Sequence, residues 1–330
     1  MAAAMATVPA CTSEIPGRAL PAPAAAGAVA PVASTSEVAL DIHPIGAGLD
    51  ESTGEIYLLA QDVIVALDSK ATVNGRVAIP GADDIAFDST HHTAWVTHNA
   101  RANDPADRVV ELLDTRSKQR IGSVEVLHPA LAVAVDTSAN RAFVVHRPDD
   151  QTQIPELRAW VSVFDTATRR LIDTVELPFA AYEIEIDPET HVALIAGWMT
   201  AVVMSTQTLA IDPTPSLSSR SSSVTIAVDS RDGTGYAVSD DVLSVIALDS
   251  NSVTDIAIGW EDGRMAPGPD ETLLVTDFDD NSLMVIDPAS GVVRSRIPVN
   301  TESFGVVSTP DRRTVYVYSQ AAESVTVVEF

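Results

Sequence analysis

Val307-Ser308-Thr309-Pro310-Asp311-Arg312-Arg313-Thr314-Val315-Tyr316-Val317 decides the fold, because six other stretches of the chain follow the same plan. An apolar strand runs into a tight polar turn, and a second apolar strand follows. Ile85-Ala86-Phe87-Asp88 precedes Thr93-Ala94-Trp95-Val96, and Val133-Ala134-Val135-Asp136 precedes Arg141-Ala142-Phe143-Val144. Ile184-Glu185-Ile186-Asp187 precedes Val192-Ala193-Leu194-Ile195, and Ile226-Ala227-Val228-Asp229 precedes Gly235-Tyr236-Ala237-Val238. Looser copies are Ala47-Gly48-Leu49-Asp50 before Ile56-Tyr57-Leu58, and Met265-Ala266-Pro267 before Leu273-Leu274-Val275. Aspartate suits these turns because its carboxylate can accept a hydrogen bond from the backbone two residues on.

Each copy is followed by a third apolar strand ending at another polar residue. Examples are Val63 to Asp68, Val109 to Asp114, Val161 to Asp165, Val245 to Asp249 and Leu283 to Asp287, with Ser205 and Glu329 in the remaining two copies. A fourth strand then follows, as in Ile121 to Val126 or Leu171 to Leu177. The first landmarks are separated by 38, 48, 51, 42, 38 and 42 residues. Four short strands in a repeat of this length make one blade of a β-propeller. The chain is therefore expected to be all-β: a seven-bladed propeller of four-stranded antiparallel blades. The seventh copy reaches Phe330 without a fourth strand, and Glu37 to Ile42 has strand character ahead of the first copy. This N-terminal strand, at about 37–42, is expected to complete the last blade and close the ring, which removes open sheet edges.

Thr309-Pro310-Asp311-Arg312-Arg313-Thr314-Val315-Tyr316-Val317 resembles the Ser-Pro-Asp-Gly-x-x-Val-Tyr-Val core of YVTN-type β-propeller repeats. The resemblance covers about residues 37–330. It implies the fold and leaves the function wide, since the family spans envelope and surface-layer proteins, electron-transfer proteins, lactonase-like enzymes and a periplasmic zinc chaperone. The tryptophan-aspartate signature of WD repeats does not occur.

The 330 residues carry 20 Lys and Arg against 46 Asp and Glu, a formal net charge of −26. A polyanion is repelled by nucleic-acid phosphates, so no nucleic-acid partner is expected. No apolar run reaches the ~18 residues of a membrane span. Cys11 is the single cysteine, so neither an internal disulfide nor a cysteine-based zinc site can form. Its context, Val8-Pro9-Ala10-Cys11, resembles a bacterial lipobox, with Val8 and Pro9 departing from the usual pattern. Residues 1–11 are read as a truncated signal with Cys11 as lipidation site. Residues 12–36, rich in Ala, Pro and Ser, are read as a tether, because proline blocks helices and nothing large is available to bury. The propeller then occupies 37–330. The expected location is extracytoplasmic, at the bacterial cell envelope, with the membrane reached through a lipid anchor.

Propeller connectivity sorts the loops into two faces. The turn between first and second strands lies on the lower face; the loop between second and third strands and the blade-to-blade link lie on the upper. His98 and His146 hold the same repeat position in blades two and three, and His43 and His128 begin links, which places all four on the upper face. With Asp277, and with Asp83, Asp84, Glu183 and Glu302 in links, they are the candidate ligands for a divalent metal, zinc or copper. His91, His92 and His191 fall in lower-face turns and are expected to face solvent. Asp277-Phe278-Asp279-Asp280-Asn281 begins like a calcium loop, but Ser282 and Pro288 stand where glycine and a bidentate glutamate belong. The longest insertions, Asn99 to Arg108 and Arg147 to Ala159, also lie on the upper face. They offer Arg147, Asp149, Asp150, Arg158 and Trp160 as a ligand-binding rim.

Nucleophile-elbow, P-loop, zincin and dinucleotide signatures do not occur. The primary expectation is a non-enzymatic scaffold that binds a protein or small molecule. Metal handling through the histidines and a lactonase-like, metal-dependent hydrolase are the alternatives.

Overall fold

The computed structural model describes residues 30–98, 108–146, 158–197, 200–212, 224–239, 241–260, 263–300 and 303–330. Cys11, Arg147, Asp149, Asp150 and Glu302 lie outside the described residues. The described chain forms 28 strands and no helix. They assemble into seven four-stranded antiparallel sheets, one per repeat. The first strands are Gly46–Asp50, Ala82–Asp88, Ala130–Asp136, Ala181–Asp187, Thr225–Asp229, Met265–Pro267 and Ser303–Ser308. Each lies beside the first strands of its two neighbours, and that of blade seven meets that of blade one, so the seven line a central channel.

Ring closure comes from Ser34–Ala39, which pairs antiparallel with Ser324–Glu329 along six residue pairs. The strand starts three residues earlier than the sequence pattern suggests. Leu40 and Ile42, which give the segment its strand character, leave the ladder. They are buried between blades seven and one with Ile56, Leu58, Tyr316 and Tyr318. Burying two large apolar side chains is worth about 1.5–3 kcal/mol each, which outweighs continuing an exposed edge.

The core consists of seven apolar clusters, one between each pair of adjacent blades. Trp95, Leu112, Val133, Val144 and Phe164 join blades two and three, with the Trp95 and Phe164 rings 5.7 Å apart. Phe143, Val163, Ile184 and Ile195 join blades three and four. Second strands are buried on both faces, and the small Ala94, Ala142, Ala193 and Ala237 let neighbouring sheets approach.

The lower-face turns carry out the chemistry read from the sequence. Asp50, Asp88, Asp136, Asp187 and Asp229 are all at most 2% exposed. Each accepts a hydrogen bond from a backbone N–H two or three residues on: Ser52 at 3.0 Å, His91 at 3.1 Å, Ala139 at 2.9 Å, Glu189 at 3.0 Å and Arg231 at 3.0 Å. In blade seven the Thr309 hydroxyl takes this place and accepts from Thr314 N–H at 3.1 Å.

The histidines in these turns are not simply solvent-facing. His191 Nδ1 lies 2.9 Å from the buried Asp136 carboxylate of the preceding blade, and His91 Nδ1 lies 2.6 Å from Asp88. Burial works against the Asp136 charge, but Ser138, Thr206, His191 and the Ala139 N–H together hold its carboxyl below the usual range. The turn hydrogen bonds recruit the histidines inward.

Candidate functional site at the upper channel mouth

One repeat position collects charge around the channel. It is the residue immediately before Ile85, Ile184 and Met265, which pair with Val96, Ile195 and Val275 in the second strands. It holds Asp84 in blade two, Glu183 in blade four and Arg264 in blade six. The same position holds Gly46, Ala132, Thr225 and Gly305 in the other four blades. Charged side chains therefore alternate with small ones around the upper mouth.

Asp84 and Glu183 satisfy the inner edge of the next blade. Asp84 accepts from Val133 N–H at 2.8 Å and from Ile85 N–H at 2.9 Å. Glu183 accepts from Ile226 N–H at 3.3 Å. A first-strand N–H facing the channel has no strand to pair with, so a carboxylate from the preceding blade supplies the acceptor. Glu183 also accepts from Arg264 Nη1 at 2.6 Å, which links blade four to blade six. Arg264 N–H in turn donates to Thr276 Oγ1 at 3.0 Å, as Asp84 N–H does to Thr97 Oγ1 at 3.2 Å.

Two further groups complete the mouth. Glu185 lies two residues beyond Glu183 and so on the same side of the strand. Its side chain is exposed to the channel and makes no hydrogen bond with a described residue. Tyr318, from the second strand of blade seven, is 7% exposed. Its hydroxyl fills the space where a Cβ on Gly305 would stand.

The electrostatics follow from one cation serving several carboxyls. Burial pushes Asp84 up to about 6, against the two N–H groups that stabilise its charge. It pushes Glu183 up to about 7, against Arg264. Glu185 rises to about 8, because the surrounding protein limits the solvent that reaches it and because Glu183 and Asp84 repel its charge. Asp83 rises through burial as well. The Tyr318 phenol is pushed up to about 12 by burial, with Arg264 opposing and Asp84 and Glu183 reinforcing. Arg264 is desolvated yet held charged by Glu183 and its neighbours. Near pH 7 the mouth combines a fixed cation, partly ionised carboxyls and a neutral phenol.

The residues expected from sequence are distributed differently. His128, His146 and Trp160 come together in blade three: His128 stacks on Trp160 at 4.7 Å and meets His146 edge-on at 6.3 Å. Both ring nitrogens of His146 are engaged, Nδ1 with His128 O at 3.0 Å and Nε2 with Ser162 Oγ at 2.7 Å. Burial lowers this imidazole to about 4. His98 makes the equivalent Nδ1 contact with Pro80 O at 3.0 Å, while its Nε2 stands 3.9 Å from Glu111 Oε1. His43 joins the blade-seven hairpin through Gln320 O and Glu323. Asp277 pairs with Arg296 and caps its own turn at Asp280 N–H. Arg158 pairs with Glu176 across the surface of its own blade. Among the described residues, no group of three or more His, Cys, Asp or Glu side chains is arranged to hold a metal ion.

Asp84 and Glu183 stand among the link carboxylates noted from the sequence. Arg264, Glu185 and Tyr318 were not singled out there. Aligning the seven copies one residue further upstream exposes Arg264 as the basic member of an otherwise acidic or small position.

No family model matches the chain, and no curated protein matches it. Among solved structures it is similar to hydrazine synthase of Kuenenia stuttgartiensis, with 14% identity and a TM-score of 0.71 over 89% of this chain and 97% of that one. A likeness at that identity concerns the propeller fold alone, and this fold carries many unrelated functions.

Proposed function

We propose that this propeller is a binding scaffold of the cell envelope that engages a small ligand or a protein partner at its upper channel mouth. The observation that carries the reading is the group formed by Asp84, Glu183, Glu185, Arg264 and Tyr318. Four blades deliver polar side chains to the upper channel mouth, and two of the groups make no hydrogen bond with described residues. Convergent polar groups with shifted proton affinities in a concavity are the usual mark of a binding site. The lipobox-like context of Cys11 and the Ala/Pro-rich stretch after it support attachment to the envelope through an acylated N-terminus. The Thr309–Val317 motif supports kinship with YVTN-type repeats, among which envelope proteins are common.

The test compares envelope-extract capture by the wild type, by an upper-mouth double variant (Glu183→Ala with Arg264→Ala, which preserves net charge) and by a lower-face variant (Arg231→Ala). Loss of a captured partner with the upper variant alone supports the reading; equal capture by all three overturns it. Elemental analysis of the purified protein belongs beside it. Stoichiometric zinc or copper that disappears in a His98→Ala/His146→Ala variant would replace the scaffold reading with metal handling.

A further inference from the structure

We propose that Asn74–Gly75 is a self-modification site, at which the chain converts its own asparagine to aspartate and isoaspartate with water as co-reactant and so unfastens blade one from blade two. The inference is independent of the upper mouth.

The sequence supplies the reactive pair. Asparagines stand at 74, 99, 103, 140, 251, 281 and 300, and only Asn74 precedes a glycine. A glycine nitrogen has no Cβ beside it and a freer backbone, so the preceding asparagine side chain can close onto it. Asn140, Asn251 and Asn281 adopt positive φ in their turns, but they precede Arg141, Ser252 and Ser282.

The fold places the pair where the backbone is least constrained. Asn74 is exposed in Val73–Val77, the outermost strand of blade one, which has a neighbouring strand on one side only. Leu67 pairs with Val73 and Ala66 with Gly75, so Asn74 is the extra residue of a β-bulge. The same bulge leaves out Ile121, Ile172 and Arg294 in blades two, three and six. None of those side chains can cyclise. A bulge interrupts the ladder locally, which relieves the Asn74–Gly75 peptide of regular strand geometry.

Packing accounts for the glycine. A Cβ on Gly75 would stand 2.8 Å from Lys118 Cγ, so the lysine stem of blade two crosses over this residue. The Lys118 ammonium then reaches the Glu55 carboxylate of blade one and Thr115 O, with both charged side chains largely buried. Asn74 Nδ2 donates to the other oxygen of that carboxylate, Glu55 Oε1, at 2.5 Å. Asn74, Glu55 and Lys118 thus form a clamp between blades one and two. The close approach that builds the clamp requires the glycine that makes Asn74 labile.

The reaction is a dehydration-free exchange of ammonia for water. Hydroxide takes the Gly75 amide proton, and the nitrogen attacks Asn74 Cγ. The new N–Cγ bond closes a five-membered succinimide, the Cγ–Nδ2 bond breaks, and ammonia leaves with a proton from water, which regenerates hydroxide. A water molecule then opens the ring at either carbonyl, giving aspartate or isoaspartate. One water is consumed, one ammonia is released, and no oxidation state changes. In the product the donor to Glu55 is gone and one carboxylate faces another. Isoaspartate also routes the outer strand through Cβ, lengthening its backbone by one atom.

The experiment incubates the full chain at pH 7, 8 and 9 for several weeks and follows each asparagine by peptide mass spectrometry. Isoaspartate is detected by enzymatic methylation. Asn74 should convert first, gaining one mass unit with ammonia released in equal amount, and faster at each higher pH. In heavy-oxygen water the new carboxyl group should carry one heavy oxygen. Gly75→Ala should slow conversion by about tenfold or more, because a Cβ shields the nitrogen. It also crowds Lys118, so Asn74→Gln, which keeps the glycine but needs a six-membered ring, guards against a folding defect and should be equally inert. Asn74→Asp, the product, should lower the urea midpoint more than Asn74→Ser, which loses the same hydrogen bond without adding charge, and salt should narrow that difference. The proposal is overturned if another asparagine converts first, or if Asn74 survives in the native chain while the urea-unfolded chain converts it. Conversion unaffected by Gly75→Ala overturns the chemistry, and Asn74→Asp as stable as Asn74→Ser at low salt overturns the unfastening.

Discussion

Arg312 of blade seven and Asp229 of blade five form a buried ion pair that passes over blade six. Arg312 is 7% exposed, Asp229 2%, and the same guanidinium reaches Gly268 O of the intervening blade at 3.5 Å. The upper mouth has a counterpart in Arg264, which runs from blade six to Glu183 of blade four. Two arginines thus tie non-adjacent blades together at opposite ends of the channel.

These pairs are unequal in burial, and the lower one should dominate stability. Removing one partner of a buried pair leaves the other charge desolvated, at a cost of about 3–5 kcal/mol. Arg312→Met should therefore lower the unfolding free energy in urea by about that amount. Adding Asp229→Asn should recover part of the loss, since the amide can still accept from Arg231 N–H while the buried charge is gone. A double variant as unstable as the single one would show that the turn, not the ion pair, carries the effect.

His146 gives the fold an acid-sensitive point. Its native imidazole is held near 4, below the ~6.5 of an unfolded histidine. The unfolded chain therefore takes up this proton first as pH falls. The stabilisation is full above pH 6.5 and is lost progressively down to about pH 4, with an upper bound of about 3 kcal/mol. His146→Gln, which can still donate to His128 O, should lack this component. Urea melts at pH 7.5, 6, 5 and 4 should show the gap between wild type and variant narrowing or reversing as pH falls. A constant gap would place the proton affinity of His146 in the ordinary range.

Glu185 works in the opposite direction. Its native carboxyl titrates near 8, above the unfolded value of a glutamate, so the native state keeps a proton that the unfolded chain releases. Stability from this group is present at low pH and declines as pH rises toward 8. Glu185→Gln should melt at the same temperature as the wild type near pH 4.5 and at a higher temperature at pH 8. Solvent in the channel screens the charge, so the direction is the firm expectation. A lower melting temperature for the variant at pH 8 would mean that the ionised carboxylate has a partner in the native state.

The blades were legible in the sequence because everything that makes a blade is local. The turn at Asp136 needs only Asp136, Ala139 and a residue of positive φ at Asn140, all within five positions. The shared place of His98 and His146 was legible for the same reason. Their role was not, since each ring answers a carbonyl 18 residues upstream in a link whose path is set by the ring. The channel mouth was hidden more deeply. Glu183 and Arg264 are 81 positions apart and meet because the ring brings blades four and six close enough at the channel mouth for the pair to span blade five between them. Blade six also disguises its register: Gly268 stands where blades one to five have aspartate, and its first strand is three residues long. The start of the closing strand moved because Leu40 and Ile42 found a better burial site than the ladder their pattern suggested.

That closing strand makes the last prediction. Ser34–Ala39 is mostly exposed, so it contributes little apolar burial itself, yet it covers the full length of Ser324–Glu329. Without it, the backbone groups of a six-residue, Val-rich strand face solvent, a template for pairing with another chain. Ala33 N–H also donates to Glu329 O at 2.7 Å, and Leu40 N–H to Glu323 O at 2.7 Å, so both ends of the strand are pinned. A chain beginning at residue 41 should keep blades two to six, lose cooperativity in its urea transition and self-associate on size-exclusion chromatography. Ser36→Pro in the full chain tests the same edge by a milder route: Leu40 N–H bonds Glu323 O, so by alternation the Ser36 N–H faces its partner Val327, and proline removes that donor. It should lower stability by less than the truncation and shift the chromatogram the same way. If both proteins remain monomeric with an unchanged transition, the ring is held by the interblade clusters alone and the N-terminal strand is a passive cover.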